Sequence, residues 1–358
     1  MKTAIVYDRV NKWGGAERVL LALHEIFPEA PLYTSVYAKK NARWADVFPQ
    51  VISSFLQIIP FAKERHEFLF FLMPFAFESH DFSNYDLVIS VTSEFAKGIV
   101  TGPSTCHICY CLTPTRYLWS GEDDYFKNDL VRKITSPLVN YLKKWDKIAS
   151  KRPDVMVSIS TEVKKRIKDY YERDSQIIFP PVNLKSLAKN EEKNIKEKHY
   201  LLVSRLVKYK KVDLAIRAFN ELNLPLVIVG SGREGKKLKK MAKKNITFAG
   251  YVSEEDLSSY YANAKGLIFP QIEDFGITAV EAQSYGVPVL AYKGGGALDT
   301  VTSNTGSFFN EQTKESLIKA VKKFEEKKFD ERKLKKNAER FSKERFADEF
   351  LQLIKGMC

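Results

Sequence analysis

Two carboxylates, Glu273 and Glu281, are separated by seven residues in a segment that fits a loop followed by a helix. If the helix begins near Gly276, its free backbone N–H groups point at whatever lies before it. Glu273 would then lie in the loop, where a carboxylate can hold sugar hydroxyls. Glu281 would lie about a turn and a half inside the helix, where it can hold a ribose diol. Two ordinary carboxylates, one of them capping a helix, fit the same spacing.

Two cations, Arg205 and Lys210, follow a predicted strand in the run SRLVKYKKVD. Arginine offers a planar fork of donors and lysine a point charge, so the two together can clamp a diphosphate. Ligands of open α/β sheets bind at the carboxyl ends of strands, which is where these residues fall. A solvated basic turn is the alternative interpretation.

Gly230, Gly232 and Gly235 form a GxGxxG pattern between a predicted strand and a predicted helix. This is the local context of a dinucleotide-binding fold. The acidic residues about 20 positions further on, Glu254 and Glu255, begin a new helix instead of ending a strand. A nicotinamide enzyme therefore stays an alternative, and the pattern favours a tight turn that lets a ligand approach backbone N–H groups.

The elements that carry these residues alternate between strands and helices in both halves of the chain, which implies parallel sheets covered on both faces. The predicted strands are 3–7, 87–91, 107–111, 155–159, 200–203, 226–229, 246–248, 266–269 and 287–291. The predicted helices are 16–27, 161–171, 212–222, 234–243, 254–262, 277–285, 314–324 and 342–354.

The chain has 358 residues, more than a single core usually supports. Pro180-Pro181 ends the first half, and the Lys, Glu and Asn-rich stretch 184–198 is typical of a linker. We predict an α/β protein with two doubly wound domains, 1–183 and 199–341, facing each other across a cleft. The final helix, within 342–358, is expected to pack back on the first domain.

The net charge of +13 favours nucleic acid, an anionic membrane surface or an anionic small substrate as partner. The sequence carries no nucleic-acid-binding module, so nucleic acid is not expected. Cys106, His107, Cys109 and Cys111 crowd one segment, but no second pair completes a tetrahedral metal site. Their alternation is typical of a buried strand, in which reduced cysteine behaves as a small apolar residue.

Asp8 and Arg9 interrupt the N-terminus where the apolar part of a signal peptide would run, so we expect a cytoplasmic protein. The longest apolar run, 68–77, is too short to span a bilayer. The segment 51–77 is rich in Phe and Ile and includes Lys63, Arg65 and His66, which suits peripheral docking beside anionic lipid at the inner face of the plasma membrane. A core helix pair covering the N-terminal sheet fits the same pattern.

The segment 269–296, FPQIEDFGITAVEAQSYGVPVLAYKGGG, resembles the EX7E motif of retaining GT-B glycosyltransferases, especially family 4. The likeness extends over nearly the whole chain. The run Gly14-Gly15-Ala16-Glu17 resembles the family's N-terminal glycine loop, and FAGYVSEEDLSSYYANAK resembles its base-binding loop and following helix. The run CYCLTPTRYLW is similar to the O-antigen mannosyltransferase branch.

The resemblance implies a role for each matching residue and no metal or cofactor. Arg205 and Lys210 would bind the donor diphosphate, and Glu273 would contact the transferred sugar. Glu281 would bind the ribose. The remaining donor-binding positions that it implies are the loop glycines Gly14 and Gly15, the base-flanking Tyr251 and Val252, and the backbone N–H groups of Phe275, Gly276 and Ile277.

One position departs from the family pattern. The family has His in its YxHTP stretch, near the transferred sugar, and this chain has Leu112 there. A backbone contact would survive this change, whereas an imidazole hydrogen bond would not.

We predict a metal-independent, retaining hexosyltransferase that uses a nucleotide-sugar donor, with GDP-mannose favoured by the branch resemblance. The acceptor would be a saccharide or polyprenyl-linked saccharide in surface polysaccharide synthesis. A UDP-sugar donor, a sugar-nucleotide epimerase and a non-catalytic binding protein are the alternatives.

Overall fold

The computed structural model describes residues 1–63, 69–120, 129–184 and 198–357. The chain divides into two compact units, described separately below. Unit 1 comprises Met1–Pro181 and Phe346–Cys358, and unit 2 comprises Val182–Arg345. The predicted linker, 184–198, lies almost entirely outside the described residues.

Unit 1 is built on a seven-stranded parallel sheet in the order β3-β2-β1-β4-β5-β6-β7. Strands β1, β4, β5 and β6 are almost fully buried because helices cover both faces, which is why they read as near-continuous apolar runs. The strands are β1 Thr3–Tyr7, β2 Leu32–Thr34, β3 Val51–Ser53, β4 Leu87–Thr92, β5 Cys106–Cys111, β6 Val155–Ser158 and β7 Gln176–Ile177.

The helices of unit 1 are α1 Gly15–Ile26, α2 Met73–Glu78, α3 Asp129–Ala149, α4 Thr161–Tyr171 and α12 Lys343–Met357, the last continuing from unit 2. Helix α4 begins where Ser160 Oγ accepts a hydrogen bond from the Val163 amide at 3.1 Å. Phe346 and Phe350 of α12 pack against Tyr110 of β5, with ring centroids 5.8 and 6.3 Å apart. The C-terminal helix therefore closes the core of unit 1.

Unit 2 has a six-stranded parallel sheet in the order β10-β9-β8-β11-β12-β13. Its strands are β8 His199–Val203, β9 Leu226–Val229, β10 Ile246–Gly250, β11 Ala264–Phe269, β12 Val289–Tyr292 and β13 Gly306–Phe309. Its helices are α5 Val212–Leu222, α6 Gly235–Met241, α7 Glu254–Ala262, α8 Ile277–Ser284, α9 Ala297–Thr300, α10 Lys314–Glu325 and α11 Glu331–Glu339.

The strand order reverses between β1 and β4 in unit 1 and between β8 and β11 in unit 2. Such switch points open a crevice at the carboxyl ends of the strands, and ligands of doubly wound sheets bind there. Each unit therefore has one edge at which a site is expected. The two Rossmann-like units form the GT-B fold predicted from the sequence.

Within its described residues, 51–63 and 69–77, the apolar segment does not form the helix pair that was one of its two predicted structures. Its described part contains β3, a 3₁₀ turn at Phe55–Ile58 and the short helix α2. Leu56 and Phe77 are buried in the core of unit 1, whereas Ile58 and Phe61 are exposed. No described helix has both the length and the apolar character required to cross a bilayer.

The cysteines of β5 differ from the expectation in one position. Cys109 and Cys111 are buried free thiols, as predicted for a strand interior. Cys106, the half-buried first residue of the strand, is disulfide-bonded, so the expectation of a fully reduced run is wrong there.

Candidate active site

Lys210 and Glu273 meet in unit 2 at the switch point of the sheet. Lys210 ends a 3₁₀ turn between β8 and α5, and Glu273 lies in the loop between β11 and α8. Since β8 and β11 are neighbouring parallel strands, their carboxyl ends bring the two loops together. Lys210 Nζ donates to Glu273 Oε1, and Gln271 Nε2 donates to the same oxygen at 2.8 Å. Two donors thus fix the orientation of the Glu273 carboxylate.

Tyr209 joins the two cations that the sequence suggested as a diphosphate clamp. Arg205 Nη2 donates to Tyr209 Oη at 2.7 Å, and Lys210 Nζ lies 5.2 Å from the centroid of the same ring. An ammonium group over an aromatic ring is held by the ring quadrupole. Tyr209 was not predicted from the sequence, although its place between Arg205 and Lys210 in the same turn was a visible signal.

Gly276 is the cap residue directly before helix α8 and adopts the left-handed conformation with φ +96°. This conformation favours glycine and turns the chain from the loop into the helix at Ile277. The first N–H groups of a helix have no intrahelical acceptor and favour negative charge. Phe275 is buried and packs edge-on against the Phe341 ring, with centroids 5.4 Å apart. The loop that carries Glu273 is therefore anchored on both sides of Gly276.

A second glycine loop, 294–296, packs directly against the loop that carries Glu273. The Gly296 amide donates to the Glu273 carbonyl oxygen at 2.8 Å. A Cβ atom on Gly296 would overlap the backbone of Phe275, and one on Gly295 would overlap the Glu273 carbonyl. These glycines allow the close approach of two backbones. No role was predicted for these glycines from the sequence, although the run of three glycines is visible in the segment 269–296.

Glu281 has different partners from Glu273. It is the fifth residue of α8 and is nearly buried. Tyr261 Oη donates to Glu281 Oε2 at 2.8 Å, and the Tyr261 ring stacks on Tyr285 with centroids 5.3 Å apart. The carboxylates of Glu273 and Glu281 thus accept hydrogen bonds from different side chains.

The remaining donor-binding candidates lie in two places. Gly14 precedes α1 and Gly15 begins it, and the nearby Glu17 carboxylate accepts from Tyr7 Oη at 2.8 Å. Burial raises the pKa of Glu17. In unit 2, Tyr251 is 80% exposed and Val252 half-buried, immediately before the cap of α7.

The GxGxxG glycines pack against the turn that carries Arg205. Gly230 has φ +132°, and a Cβ atom there would overlap the Ser204 carbonyl. Leu206 N donates to Ser231 O at 2.9 Å, which joins the two turns by their backbones. The close approach of the Ser204 backbone therefore explains why Gly230 is a glycine. The glycine-containing turn packs against the turn that carries Arg205.

His107 lies on β5, and Leu112 directly follows this strand. Leu112 is half-buried, and its amide donates to Thr92 O at 2.8 Å. His107 is fully buried with Nε2 2.8 Å from Ser90 Oγ. Burial and then the cations Arg173 and Arg152 lower the pKa of His107 to about 3, so its imidazole is neutral.

Metal-ligating side chains do not gather in the described ranges, where no three His, Cys, Asp or Glu residues form a group able to hold an ion. The acidic run Glu122-Asp123-Asp124 lies outside the described residues.

Comparison with known proteins places the candidate site within a recognised family region. Residues 185–341 match the family model "Glycosyl transferases group 1". This range contains Arg205, Lys210, Glu273 and Glu281.

Two curated relatives and one solved structure extend the comparison. A GDP-mannose-dependent monoacylated alpha-(1-6)-phosphatidylinositol monomannoside mannosyltransferase from Corynebacterium glutamicum is 36% identical over 29% of this chain and 31% of its own length. The O-antigen chain mannosyltransferase RfbU from Salmonella typhimurium is 24% identical over 56% and 58%. The chain thus spans about a third and about three-fifths of these relatives. HepE from Anabaena in complex with UDP has a TM-score of 0.72 at 16% identity, covering 99% of this chain and 100% of that one.

Proposed function

We propose that this protein is a retaining glycosyltransferase that moves a hexosyl group from a nucleoside diphosphate sugar to a hydroxyl of a saccharide or lipid-linked saccharide. The observation that carries the proposal is the Lys210–Glu273 contact at the switch point of unit 2. It joins a cation suited to phosphate with a carboxylate suited to sugar hydroxyls. Both residues lie in the range that matches the glycosyl transferase family.

In this proposal the cations act on the leaving group. Negative charge develops on the diphosphate as the glycosidic bond breaks, and preorganised donors stabilise it most effectively. Arg205 and Lys210 supply such donors, as do the N–H groups of residues 275–277 at the start of α8. These groups would compensate the charge without a metal ion, so we propose metal-independent transfer.

The other residues bind and orient the donor. Glu273, with the N–H groups beside it, holds the hydroxyls of the transferred sugar, and Glu281 holds the ribose. The Gly14-Gly15 loop approaches the donor phosphate, and Tyr251 and Val252 flank the base.

Retention is proposed to proceed by attack on the face from which the diphosphate leaves. A double displacement with two carboxylates needs them about 5 Å apart across the anomeric carbon. Glu281 lies within α8 and accepts a hydrogen bond from Tyr261 of α7. This placement argues against Glu281 as the second carboxylate of a double displacement. The bond from the anomeric carbon to the phosphate oxygen breaks, and the acceptor oxygen forms the new bond. The acceptor proton passes to the departing diphosphate oxygen.

GDP-mannose is the donor we favour, because the two curated relatives are named as mannosyltransferases and one as GDP-mannose-dependent. Their names also favour a lipid-linked or O-antigen acceptor. A UDP-sugar donor is the second candidate, since HepE holds UDP on the same fold. A sugar-nucleotide epimerase or a binding protein would show donor binding without transfer.

We further propose a peripheral location on an anionic membrane at the cytoplasmic face. Ile58 is 85% exposed and Phe61 76% exposed in unit 1, close in sequence to Lys63. Phe61 has φ +63°, a conformation that is unfavourable for a bulky residue and turns the chain at this point. Exposed apolar side chains beside cations suit the boundary between headgroups and acyl chains.

Thermal unfolding in the presence of a panel of nucleotide sugars tests the donor. A donor that binds the native state raises the melting temperature, and we expect GDP-mannose to raise it more than UDP-glucose does. Product analysis with and without a saccharide acceptor then separates a transferase from an epimerase. Failure of every nucleotide sugar to stabilise the protein would contradict the proposed function.

A further inference from the structure

A buried ion pair between Lys97 and Asp146 lies in unit 1, outside the donor-binding candidates. Lys97 is in the 3₁₀ turn after β4, and its Nζ is 2.5 Å from Asp146 Oδ1 in α3. The exposed fraction of the side chain is 1% for Lys97 and 0% for Asp146. Such a pair pays a large desolvation cost and often adds little stability compared with apolar residues. The groups that hydrogen-bond to Lys97 and Asp146 show which segments of the chain the ion pair holds in place.

The Asp146 carboxylate is fully occupied by four donors. Thr115 Oγ1 lies 3.0 Å from Oδ1, which also contacts Lys97. Oδ2 accepts from Trp119 Nε1 at 2.8 Å and from Tyr171 Oη at 2.7 Å. A carboxylate offers about four acceptor sites. One side chain therefore binds the segment 112–119 at two points and α4 at a third.

The Lys97 ammonium is equally saturated. Its Nζ contacts Asp146, donates to the Glu94 carbonyl oxygen, and lies 3.3 Å from Thr115 Oγ1. Thr115 Oγ1 is itself 3.1 Å from that carbonyl. Three N–H bonds thus have three acceptors, and the single proton of the Thr115 hydroxyl is shared between Asp146 Oδ1 and the Glu94 carbonyl oxygen.

Asp8 holds the same turn from β1. Its carboxylate accepts from the amides of Glu94 at 3.0 Å and Phe95 at 2.9 Å, and from Thr92 Oγ1 at 2.8 Å. The turn 93–98 is therefore fixed at both ends, by one carboxylate at the end of β1 and by the Lys97–Asp146 pair beneath it.

The two segments that the pair holds lie at the carboxyl ends of β4 and β5, beside the switch point between β1 and β4. Arg9 and Glu94 form a partly exposed ion pair of 2.5 Å at this edge. Ligands of doubly wound sheets bind there. Apart from the Gly14-Gly15 loop, the donor-binding residues of the proposed function belong to unit 2, so the turn after β4 and the segment after β5 are available for the acceptor.

We propose that Lys97 and Asp146 are positioning residues that hold the Glu94 turn and the segment 112–119 in the geometry that receives the acceptor saccharide. The pair acts through backbone groups and Thr115 rather than by touching substrate. The identity of the ligand rests on the proposed function, whereas the fixing of the two segments rests on the contacts alone.

Hydrogen exchange followed by mass spectrometry tests the positioning role without any ligand. Asp146→Asn removes the charge, and Tyr171→Phe removes one donor while keeping the ring, so the second variant serves if the first does not fold. We expect peptides covering 93–98 and 112–119 to exchange about tenfold faster in both variants, with unit 2 unchanged. The control is Leu20→Ala, which leaves a cavity at a buried apolar position of α1 without removing a hydrogen-bonding group, compared at equal stability of unit 1. Unchanged exchange in the two segments, or equal acceleration in the control, would overturn the proposal.

Kinetics then test the acceptor assignment, with GDP-mannose as donor and n-octyl α-D-mannopyranoside as acceptor probe. The double variant Lys97→Met/Asp146→Asn should raise the acceptor KM about tenfold and leave the donor KM and the donor-induced melting shift unchanged. An unchanged acceptor KM, or an equal rise in donor KM, would overturn the assignment. Absence of transfer by the unaltered protein would count against the proposed function and the acceptor together, while the exchange result still decides the positioning role.

Discussion

The Lys210 ammonium and the Gln271 amide both donate to the same oxygen, Oε1, of Glu273. A carboxylate that accepts two such bonds has one rotational orientation, and its charge is balanced by the neighbouring ammonium. Glu273 is therefore oriented before any sugar arrives. In the proposed function this preorganisation has no cost at the moment of reaction.

The first prediction concerns the charge of Glu273. Glu273→Gln keeps the shape of the side chain but removes the carboxylate, and Lys210 loses its ionic partner. We expect turnover to fall by roughly 10²–10³, the range measured when one preorganised electrostatic group is removed. Initial rates with saturating donor check this, with the melting temperature confirming an intact fold. Asp274→Asn, which neutralises the adjacent carboxylate, is the matched control, and near-normal turnover of the Glu273 variant would contradict the assignment.

The second prediction concerns Gly296. A methyl group here would overlap Phe275, so Gly296→Ala must displace the loop that carries Glu273. We expect transfer to fall by about 10²-fold because a displacement of about 1 Å in a reacting group has effects of this size. Steady-state kinetics with donor titration measure it.

Gly235→Ala is the control for this change, because the nearest atom to its added Cβ is Leu206 Cδ1 at an ordinary 3.5 Å. This variant should retain both turnover and stability. Full activity of Gly296→Ala would show that the loop 273–276 can move without consequence.

The sequence predicts the regular elements of both units well where periodicity is strong. Helices α4, α5 and α7 have the predicted bounds, since α4 and α5 have an apolar stripe and α4 and α7 begin after a Ser cap. The strands β2 and β3 were not predicted because each has only three residues, too few for a period to show. The long helix α3 was also missed, because Pro137 lies inside it and a proline ordinarily indicates the end of a helix.

The candidate site was predicted residue by residue only through the family resemblance. Spacing could not separate Glu273 and Glu281 from two ordinary carboxylates. The supporting side chains Tyr209, Tyr261 and Gln271 were not predicted, because hydrogen bonds between side chains in turns, loops and neighbouring helices follow no periodic pattern in the sequence. Only Tyr209, between the two predicted cations, was marked by its position. Contacts of this kind are determined by tertiary packing.

The third prediction concerns the exposed apolar residues of unit 1. The double variant Ile58→Ser/Phe61→Ser should weaken binding to phosphatidylglycerol-containing vesicles by about 10²-fold or more, because each buried apolar side chain contributes roughly 1.5–3 kcal/mol. Co-sedimentation at low salt measures this, with phosphatidylcholine vesicles as the uncharged reference. Leu298→Ser is the control, since Leu298 is an exposed apolar residue, at 52%, that lies in unit 2. Equal binding by all three proteins, or no binding at low salt, would remove the membrane proposal.

The last prediction concerns pH and His107. The pKa of this imidazole is about 3 in the folded protein, whereas that of a histidine without such interactions, as in the unfolded chain, is 6.5. Between these values the unfolded chain binds a proton that the folded chain does not, so stability falls as pH decreases from 6.5. The buried carboxylates Asp8 and Glu17, whose pKa values are raised, contribute with the opposite sign, but equally in a His107 variant.

His107→Gln removes the titration and keeps a side chain that can bond with Ser90. Between pH 7 and pH 5, we expect the unaltered protein to lose about 2 kcal/mol more unfolding free energy than the variant does. Urea denaturation followed by tryptophan fluorescence measures the difference, because all four tryptophans lie in unit 1 together with His107. Parallel pH profiles of the two proteins would show that His107 has the same pKa in the folded and unfolded states. Burial would then not lower the pKa of this imidazole.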